Sequence, residues 1–307
     1  MRKTNIFNEM HQKKEYKMDH NIQKYMAFVK TVEAGSFTKT AEELNYTQSS
    51  VSKMIADLEK EWNLVLLERD RNGVHLTSSG EQILPYARML IEDYRKLQEH
   101  VDGMNGIQEG TIRIGTFSSV AINWLPAVFE RFQSDYPGIR YEMLLGDYEE
   151  VENWIEDGRV DCGFLSLPVK RDFDTLSLKM DEYLVVLPKG HRLTEKEKID
   201  IGMLEKEPFM LLEHGGRTEV TDLLEKYQVH PDIRFTTWED YAIMAMVERG
   251  LGISILPQMI LRRIPYEIEI RSLEKPYYRE IGIAVKNRKR MSPATVKFFE
   301  YLKYRES

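Results

Sequence analysis

The period of apolar positions changes several times along the chain, and each change marks a new kind of element. From Asn21 onward Ile22, Tyr25, Met26, Phe28, Val29 and Val32 recur at helical spacing as far as Gly35, which predicts a first helix ended by a glycine. Ser36 stands at an N-cap position, and Phe37, Ala41 and Leu44 form the inner face of a short second helix that closes at Asn45. Thr47 caps a third helix with Val51, Ile55 and Leu58 buried and Gln48, Ser49, Ser52 and Lys53 on the opposite face. Leu64 to Leu67 then reads as a strand, Asn72-Gly73 as a hairpin turn, and Val74 and Leu76 flank His75 on a return strand.

Past Thr77 the pattern becomes a seam. Ile83, Ala87, Leu90, Tyr94, Leu97, Val101 and Met104 are separated by four and three residues in turn, up to Gly103 and Gly106, which predicts a helix that pairs with a second copy of itself. Pro85 removes a helical hydrogen bond, so a kink or restart is expected there. From Thr111 strands alternate with helices, as in an α/β fold. The strands are expected at Thr111–Phe117, Tyr141–Leu145, Val160–Leu165, Tyr183–Leu187, Phe209–Leu212, Ile233–Thr236, Ile253–Leu256 and Ile281–Val285. The helices are expected at Ser119–Ser134, Tyr148–Asp157, Thr218–Tyr227, Glu239–Arg249 and Pro293–Lys303. Residues 1–18 lack an apolar face and read as a loosely ordered extension, with Met18 an alternative start to Met1.

Composition narrows the class. The 307 residues exceed one compact core, and no long uncharged apolar run predicts a membrane span or a secretory leader, so the expectation is a cytoplasmic chain. A single cysteine, Cys162, forms no internal disulfide, and the seven histidines offer no metal-ligand spacing, so neither cofactor nor metal is expected. The net charge of −7 is unevenly spread: residues 1–80 hold 12 Lys/Arg and 11 Asp/Glu, the remainder 31 and 39. A near-neutral small domain on an acidic body is compatible with DNA, because affinity depends on where cations sit relative to phosphates.

Short polar side chains on the first turns of the third helix suit a helix lying in a major groove, where they reach base edges. Any water-facing helix has a polar side, so this face alone does not decide. Arg69 and Arg71 flank the hairpin turn, within reach of a DNA backbone or minor groove; the alternative for Arg69 is a surface pair with Glu68 or Asp70.

The order of residues is more specific. Phe28-Val29, Val32-Glu33-Ala34-Gly35-Ser36-Phe37-Thr38, Ala41, Leu44-Asn45, Gln48-Ser49-Ser50-Val51-Ser52, Leu58-Glu59, Leu67-Glu68-Arg69 and Leu76-Thr77 to Gly80 resemble the signature of the LysR-type transcriptional regulators. Two positions depart from it: Thr40-Ala41 stands where the family has an alanine pair, and Leu67 where it has phenylalanine. The second half is similar to the family's effector domain at Gly115 to Ser118-Ser119, Leu125-Pro126 to Phe132, Tyr136-Pro137, Gly158 to Asp161, and Gly250-Leu251-Gly252-Ile253 to Leu256-Pro257.

The resemblance implies an α/β protein with an N-terminal winged helix-turn-helix over residues 19–78, a dimerising linker helix over 79–106, and over 107–307 a two-lobed effector domain like periplasmic binding proteins. Ser36, Thr38, Thr47, Gln48, Ser49, Ser52, Lys53, Arg69 and Arg71 are the expected DNA contacts. Promoter DNA, a small-molecule effector, RNA polymerase for an activator, and further copies as dimer or tetramer are the implied partners. Ligand would shift the angle between DNA-binding wings and so change DNA bending.

Ligands of open α/β folds bind beyond the carboxyl ends of strands, which selects five loops. They hold Thr116, Ser118 and Ser119; Gly146-Asp147, which the resemblance places at the cleft; Leu165-Ser166-Leu167; His214 to Arg217; and Met246-Val247, with Gly250 and Gly252 on the hinge side. Ser118 could equally be a helix cap. A carboxylate at Asp147 would repel an anion unless Arg217 offsets it, so the expected effector is amino-group-bearing or zwitterionic; the alternative is that Asp147 caps the helix at Tyr148. An enzyme is disfavoured, with no Gly-x-Ser-x-Gly elbow, phosphate loop or paired metal motif in the α/β part, and Cys162 reads as packing. A plain solute-binding protein is the nearer rival, but residues 19–80 have no place in one.

Overall fold

The computed structural model describes residues 20–70, 73–103, 109–213 and 218–306, and the chain divides into two compact units, residues 1–97 and 98–307. In the first unit, helices α1 (His20–Ala34), α2 (Phe37–Leu44) and α3 (Gln48–Trp62) enclose a core of Phe28, Val29, Phe37, Ala41, Val51, Ile55 and Leu58. The expected caps form: Ser36 and Thr47 accept the backbone N–H of Lys39 and Ser50, and Asn45 closes α2 in the left-handed conformation. Thr40, the departure from the alanine pair, is fully buried, and its hydroxyl donates to the Ser36 carbonyl at 2.8 Å. A small hydroxyl is thus accommodated without an unmet donor.

The hairpin lies further along than the apolar run suggested. Strands β1 (Leu67–Asp70) and β2 (Gly73–Leu76) pair antiparallel, whereas residues 64–66 are not strand. Their polar groups are taken elsewhere. The Glu59 carboxylate accepts the N–H of Leu66 at 2.8 Å and of Leu67 at 3.2 Å, and the Thr77 hydroxyl donates to the Val65 carbonyl at 2.6 Å. Thr77 also accepts the Gly80 N–H at 3.0 Å, starting helix α4 (Ser78–Gly103). This helix runs past Pro85 without the expected restart, while Leu84 and Ala87, on either side of the proline, are buried in the core of the unit. Met104 lies outside the described residues.

The second unit is an α/β domain of two lobes. Lobe I holds β3 (Gly110–Thr116), α5 (Ser118–Asn123), α6 (Leu125–Asp135), β4 (Ile139–Leu145), α7 (Tyr148–Glu156) and β5 (Cys162–Leu167). The single helix expected over 119–134 is two, parted at Trp124. Strand β6 (Asp174–Pro188) follows; lobe II then adds β7 (Lys198–Ile199), β8 (Pro208–Leu212), α8 (Glu219–Tyr227), β9 (Asp232–Thr237), α9 (Asp240–Glu248), β10 (Ser254–Pro257) and β11 (Ile268–Leu273). Strand β12 (Tyr278–Val285) and helix α10 (Pro293–Tyr301) return to lobe I.

Topology explains the junction. Residues 174–182 of β6 pair with β12 in the sheet of lobe I, and residues 183–188 pair with β10 and β11 in lobe II. The chain therefore passes between lobes along β6 and again between β11 and β12, rather than near Gly250 and Gly252, which lie between α9 and β10 of lobe II. Lobe I packs around Trp124, Phe132, Phe164 and Phe298; lobe II packs around two clusters, one with Phe209 and Leu223, the other with Met210 and Ile243.

A Cβ added at Gly80 would lie 2.2 Å from the Leu66 carbonyl oxygen, a contact with backbone that no rotamer change relieves. Gly80→Ala is expected to destabilise the first unit by about 2 kcal/mol, in the range of overpacked sites, read as a lowered urea midpoint.

Candidate functional site

Two sets of residues stand out, one in each unit. In the first, α3 presents Gln48, Ser49 and Lys53 to solvent, with Ser52 half-buried beside them. Thr47 is occupied as a cap, its hydroxyl 2.9 Å from Ser49 Oγ and 2.7 Å from Ser50 Oγ. Ser36 is likewise a cap, and Thr38 is exposed on the first turn of α2. Arg69 reaches back from the hairpin: Nη2 donates to Ser52 Oγ at 3.0 Å and the guanidinium lies 3.6 Å from the centre of the Phe37 ring. A cation is thereby braced at the edge of the polar face of α3, in an arrangement that uses both planar surfaces and donors of an arginine. Arg71, His214 and Arg217 lie outside the described residues.

Along α4 the expected seam divides. Ala87 is buried and Ile83 packs on the core of the unit, Tyr94 is half-buried, but Leu90, Leu97 and Val101 are 44%, 58% and 43% exposed. Large apolar side chains in a row on a helix face are what an unpaired coiled-coil strand presents.

In the second unit a polar network fills the place where the two crossing strands meet. Arg279 of β12 and Asp181 of β6 are cross-strand partners, with side chains 6% and 1% exposed. Arg279 Nε and Nη2 donate to Asp181 Oδ2 at 2.9 and 2.7 Å, Nη2 also to Ser119 Oγ at 2.8 Å, and Nη1 to the Tyr148 hydroxyl at 2.8 Å. Asp181 Oδ1 accepts the Met259 N–H at 2.9 Å, just after β10 of lobe II. Asn123 Nδ2 donates to the carbonyls of Ser119 at 2.9 Å and Met259 at 3.0 Å. Elements of both lobes are thus fastened to one ion pair. Burial alone would drive the guanidinium towards neutrality, but Tyr148, Tyr183 and Asp181 outweigh it and the net shift is upward. Burial pushes the phenols of Tyr148 and Tyr183 up, so both stay protonated.

Two carboxylates border this network. Asp240, first residue of α9, is 8% exposed, and burial pushes its carboxyl up to about 6, opposed by Arg279 and reinforced by Glu239. Glu219, first residue of α8, has a buried Oε1 with no hydrogen-bond partner among the described residues and acts electrostatically on Tyr148, Tyr183 and Tyr277.

The loops selected from sequence fare unevenly. Ser119 belongs to the network, and Thr116 is fully buried at the end of β3. Ser118 is half-buried in the first turn of α5, whose N-cap is Phe117, so its hydroxyl is not the cap. Asp147 is a helix cap: Oδ1 accepts the Glu150 N–H at 2.7 Å, and Glu150 returns the bond to the Asp147 N–H. Leu165 and Ser166 are not in a loop after β5 but within it, paired with Gly282 and Ile281; Leu165 is fully buried against α7 residues Val151 and Ile155. Its side chain is committed to packing. Met246 packs partly buried against the core that contains Ile243 and Met244. Cys162 is fully buried, and burial raises its thiol well above the ordinary value, as a packing residue requires.

Arg279, Asp181, Tyr148, Tyr183, Asp240 and Glu219 were not singled out from sequence. One signal was present: Asp181 and Arg279 each stand two residues before the first apolar position of a predicted strand, and so share that residue's face.

Known proteins decide what this architecture is. The family model "Bacterial regulatory helix-turn-helix protein, lysR family" matches residues 22–81, and "LysR substrate binding domain" matches residues 105–306. This chain belongs to the LysR family of transcriptional regulators. It is 32% identical over 287 residues to the HTH-type transcriptional regulator YvbU of Bacillus subtilis, covering 92% of this chain and 97% of that protein. It is also 32% identical over 285 residues to the probable HTH-type transcriptional regulator LrrA of Synechococcus elongatus, covering 92% and 96%. Full-length OxyR from Pseudomonas aeruginosa shares the fold with a TM-score of 0.74 at 22% identity, over 94% of this chain and 98% of that one. Full-length CbnR in complex with its target DNA gives 0.67 at 19%, over 93% and 99%. The LysR-type regulator therefore binds DNA in sequence-specific fashion through its winged helix-turn-helix and takes a small-molecule effector in its C-terminal domain; it is not an enzyme. No helix among its described residues is long and apolar enough to cross a membrane.

Two outcomes follow from these sites. Gln48→Ala and Ser52→Ala should relax sequence preference, whereas Lys53→Ala and Arg69→Ala should weaken binding to all DNA and lower the salt slope by about 1 each, measured by gel shift over a salt series. Asp240 has a folded pKa above its unfolded value of about 3.9, so its contribution to stability falls as pH rises from about 4 to about 6 and stays lost above. Asp240→Asn is therefore expected to stabilise the protein by about 2 kcal/mol near pH 8 and by less near pH 5, read by urea denaturation.

Proposed function

We propose that this LysR-type regulator acts in the cytoplasm as a dimer, or as a tetramer of two dimers, pairing through the outward seam of α4 at Leu90, Leu97 and Val101. In this reading residues 19–78 form the DNA-binding domain, 79–106 the dimerising linker and 107–307 the effector domain. Helix α3 enters the major groove with Gln48, Ser49 and Ser52 towards base edges, while Lys53 and Arg69 hold phosphates. The observation that carries the DNA side is the braced Arg69, held between Ser52 and Phe37 beside the polar face of α3.

The effector binds at the junction of the two lobes, beside Ser118 and the Arg279 network, and carries an amino group; Asp147, being a cap, is not its anchor. Binding shifts the lobes between two states, and the dimer passes that shift to the spacing of its two recognition helices, and so to DNA bending and polymerase contact.

A gel-shift titration of the full chain against the intergenic DNA beside its own gene, at two salt concentrations with nonspecific competitor, tests this reading. Specific, salt-sensitive retardation is expected. Leu97→Glu, which places a charge in the seam, should convert the dimer to monomer by sedimentation and weaken retardation at least tenfold, because two half-sites no longer bind as one unit. Unchanged mass and affinity in that variant would contradict the proposed pairing surface.

A further inference from the structure

We propose that the lobe junction selects a ligand bearing a positive charge, an ammonium or comparable basic nitrogen, held between Asp240 and Glu219 and lined by tyrosines; this rests on the reading of the junction as the effector site.

Charge balance carries the inference. Arg279 and Asp181 satisfy one another: both carboxylate oxygens accept hydrogen bonds, and the guanidinium spends its donors on Asp181, Ser119 and Tyr148. The cation at the junction is therefore committed. Among the described residues, what remains is negative. Asp240 is more than nine-tenths buried, and no other described residue hydrogen-bonds its side chain; Glu219 keeps a buried oxygen with no partner among the described residues. A buried carboxylate oxygen that lacks a donor, as in Glu219, or that is bonded only to its own backbone, as in Asp240, is costly, and a bound cation reduces that cost by supplying donors.

The two carboxylates come from the first turns of α9 and α8, where the helix dipoles favour negative charge. Tyr148, Tyr183 and Tyr277 are close enough to Glu219 to feel its charge, and the rings of Tyr183 and Tyr277 lie 5.9 Å apart. Aromatic faces beside carboxylates are the surroundings that ammonium ligands use. A metal ion fits less well, because no group of three or more potential metal-ligating side chains is present among the described residues. Among the described residues, an anionic effector would meet two carboxylates and an arginine already engaged.

The test uses the full-length protein, thermal denaturation and variants Asp240→Asn and Glu219→Gln. Methylammonium chloride against sodium chloride at equal ionic strength isolates the charged group; putrescine, agmatine, lysine and ethanolamine enlarge it; succinate, 2-oxoglutarate and benzoate are the anionic counterparts. Methylammonium should raise the wild-type midpoint above that in sodium, at least one larger amine should do so at a tenfold lower concentration or less, and both responses should weaken tenfold or more in each variant. The response should also fade below about pH 6, where Asp240 takes up its proton, an uptake that Arg279 opposes and Glu239 promotes.

Equal midpoints in methylammonium and sodium, amine responses that survive in both variants, or stabilisation by a carboxylic acid lacking a basic nitrogen would overturn the proposal. That last outcome would leave the junction as the effector site with the opposite charge preference. Amine binding that depends on Asp240 and Glu219 but leaves operator affinity unchanged would uphold the ligand class while contradicting the effector reading.

Discussion

The effector domain depends on one buried ion pair. Arg279 and Asp181 face each other across β6 and β12 where the chain passes between the lobes, and Asp181 also accepts the Met259 N–H of lobe II, so a change in how the lobes meet works against that bond to the pair. Burying two charges carries a desolvation cost of several kcal/mol per ion, which mutual attraction offsets only when the remaining donors and acceptors are also matched. Ser119, Tyr148 and the Met259 N–H provide that matching, and they belong to separate elements of the two lobes. Removing any one would leave a buried polar atom unmet, which gives the junction a preference for this arrangement that an apolar contact of equal area would lack. Such a junction is suited to having two discrete states, because half-broken polar networks are disfavoured relative to either intact alternative.

The DNA-binding unit follows a similar economy. Glu59 takes up two backbone N–H groups at the start of the hairpin, and Thr77 connects the Val65 carbonyl to the first turn of α4. These bonds explain why residues 64–66 leave the strand despite their apolar character, and they fix where the hairpin begins. Arg69 is then placed by register: it pairs with Val74 across the hairpin, and its side chain reaches Ser52 and Phe37. The Leu58-Glu59 and Leu67-Glu68-Arg69 portions of the family signature thus correspond to physical work, the first anchoring the wing and the second aiming a cation.

Helices were more legible in the sequence than strands or charges. Caps such as Ser36, Thr47 and Asn45 act locally, so their residue types reveal them, and helical periodicity survives in a single segment. Strand β6 is expected only at residues 183–187, where the apolar run is continuous; its first half and β11 alternate polar and apolar side chains, a period-two strand signal that the sequence does carry and that a reading based on apolar runs passes over. Trp124 parts two helices just ahead of Pro126, which stands in the first turn of α6 and was the visible signal of the break. Asp147 resembled a binding group because a capping carboxylate and a ligand-binding carboxylate share a residue type; only the position of the Glu150 N–H separates them. Arg279 and Asp181 lie 98 residues apart, and nothing short of the strand register joins them.

The central claim is that this ion pair works as a unit organising the lobe junction. A double-mutant cycle on the full chain, with Arg279→Met, Asp181→Leu and both together followed by urea denaturation, measures it directly. Each single change should cost about 3 kcal/mol or more by stranding a buried charge, and the pair together should cost less than the sum by about 2 kcal/mol or more. Costs that simply add would mean that the two residues act independently, and the account of the junction would be wrong.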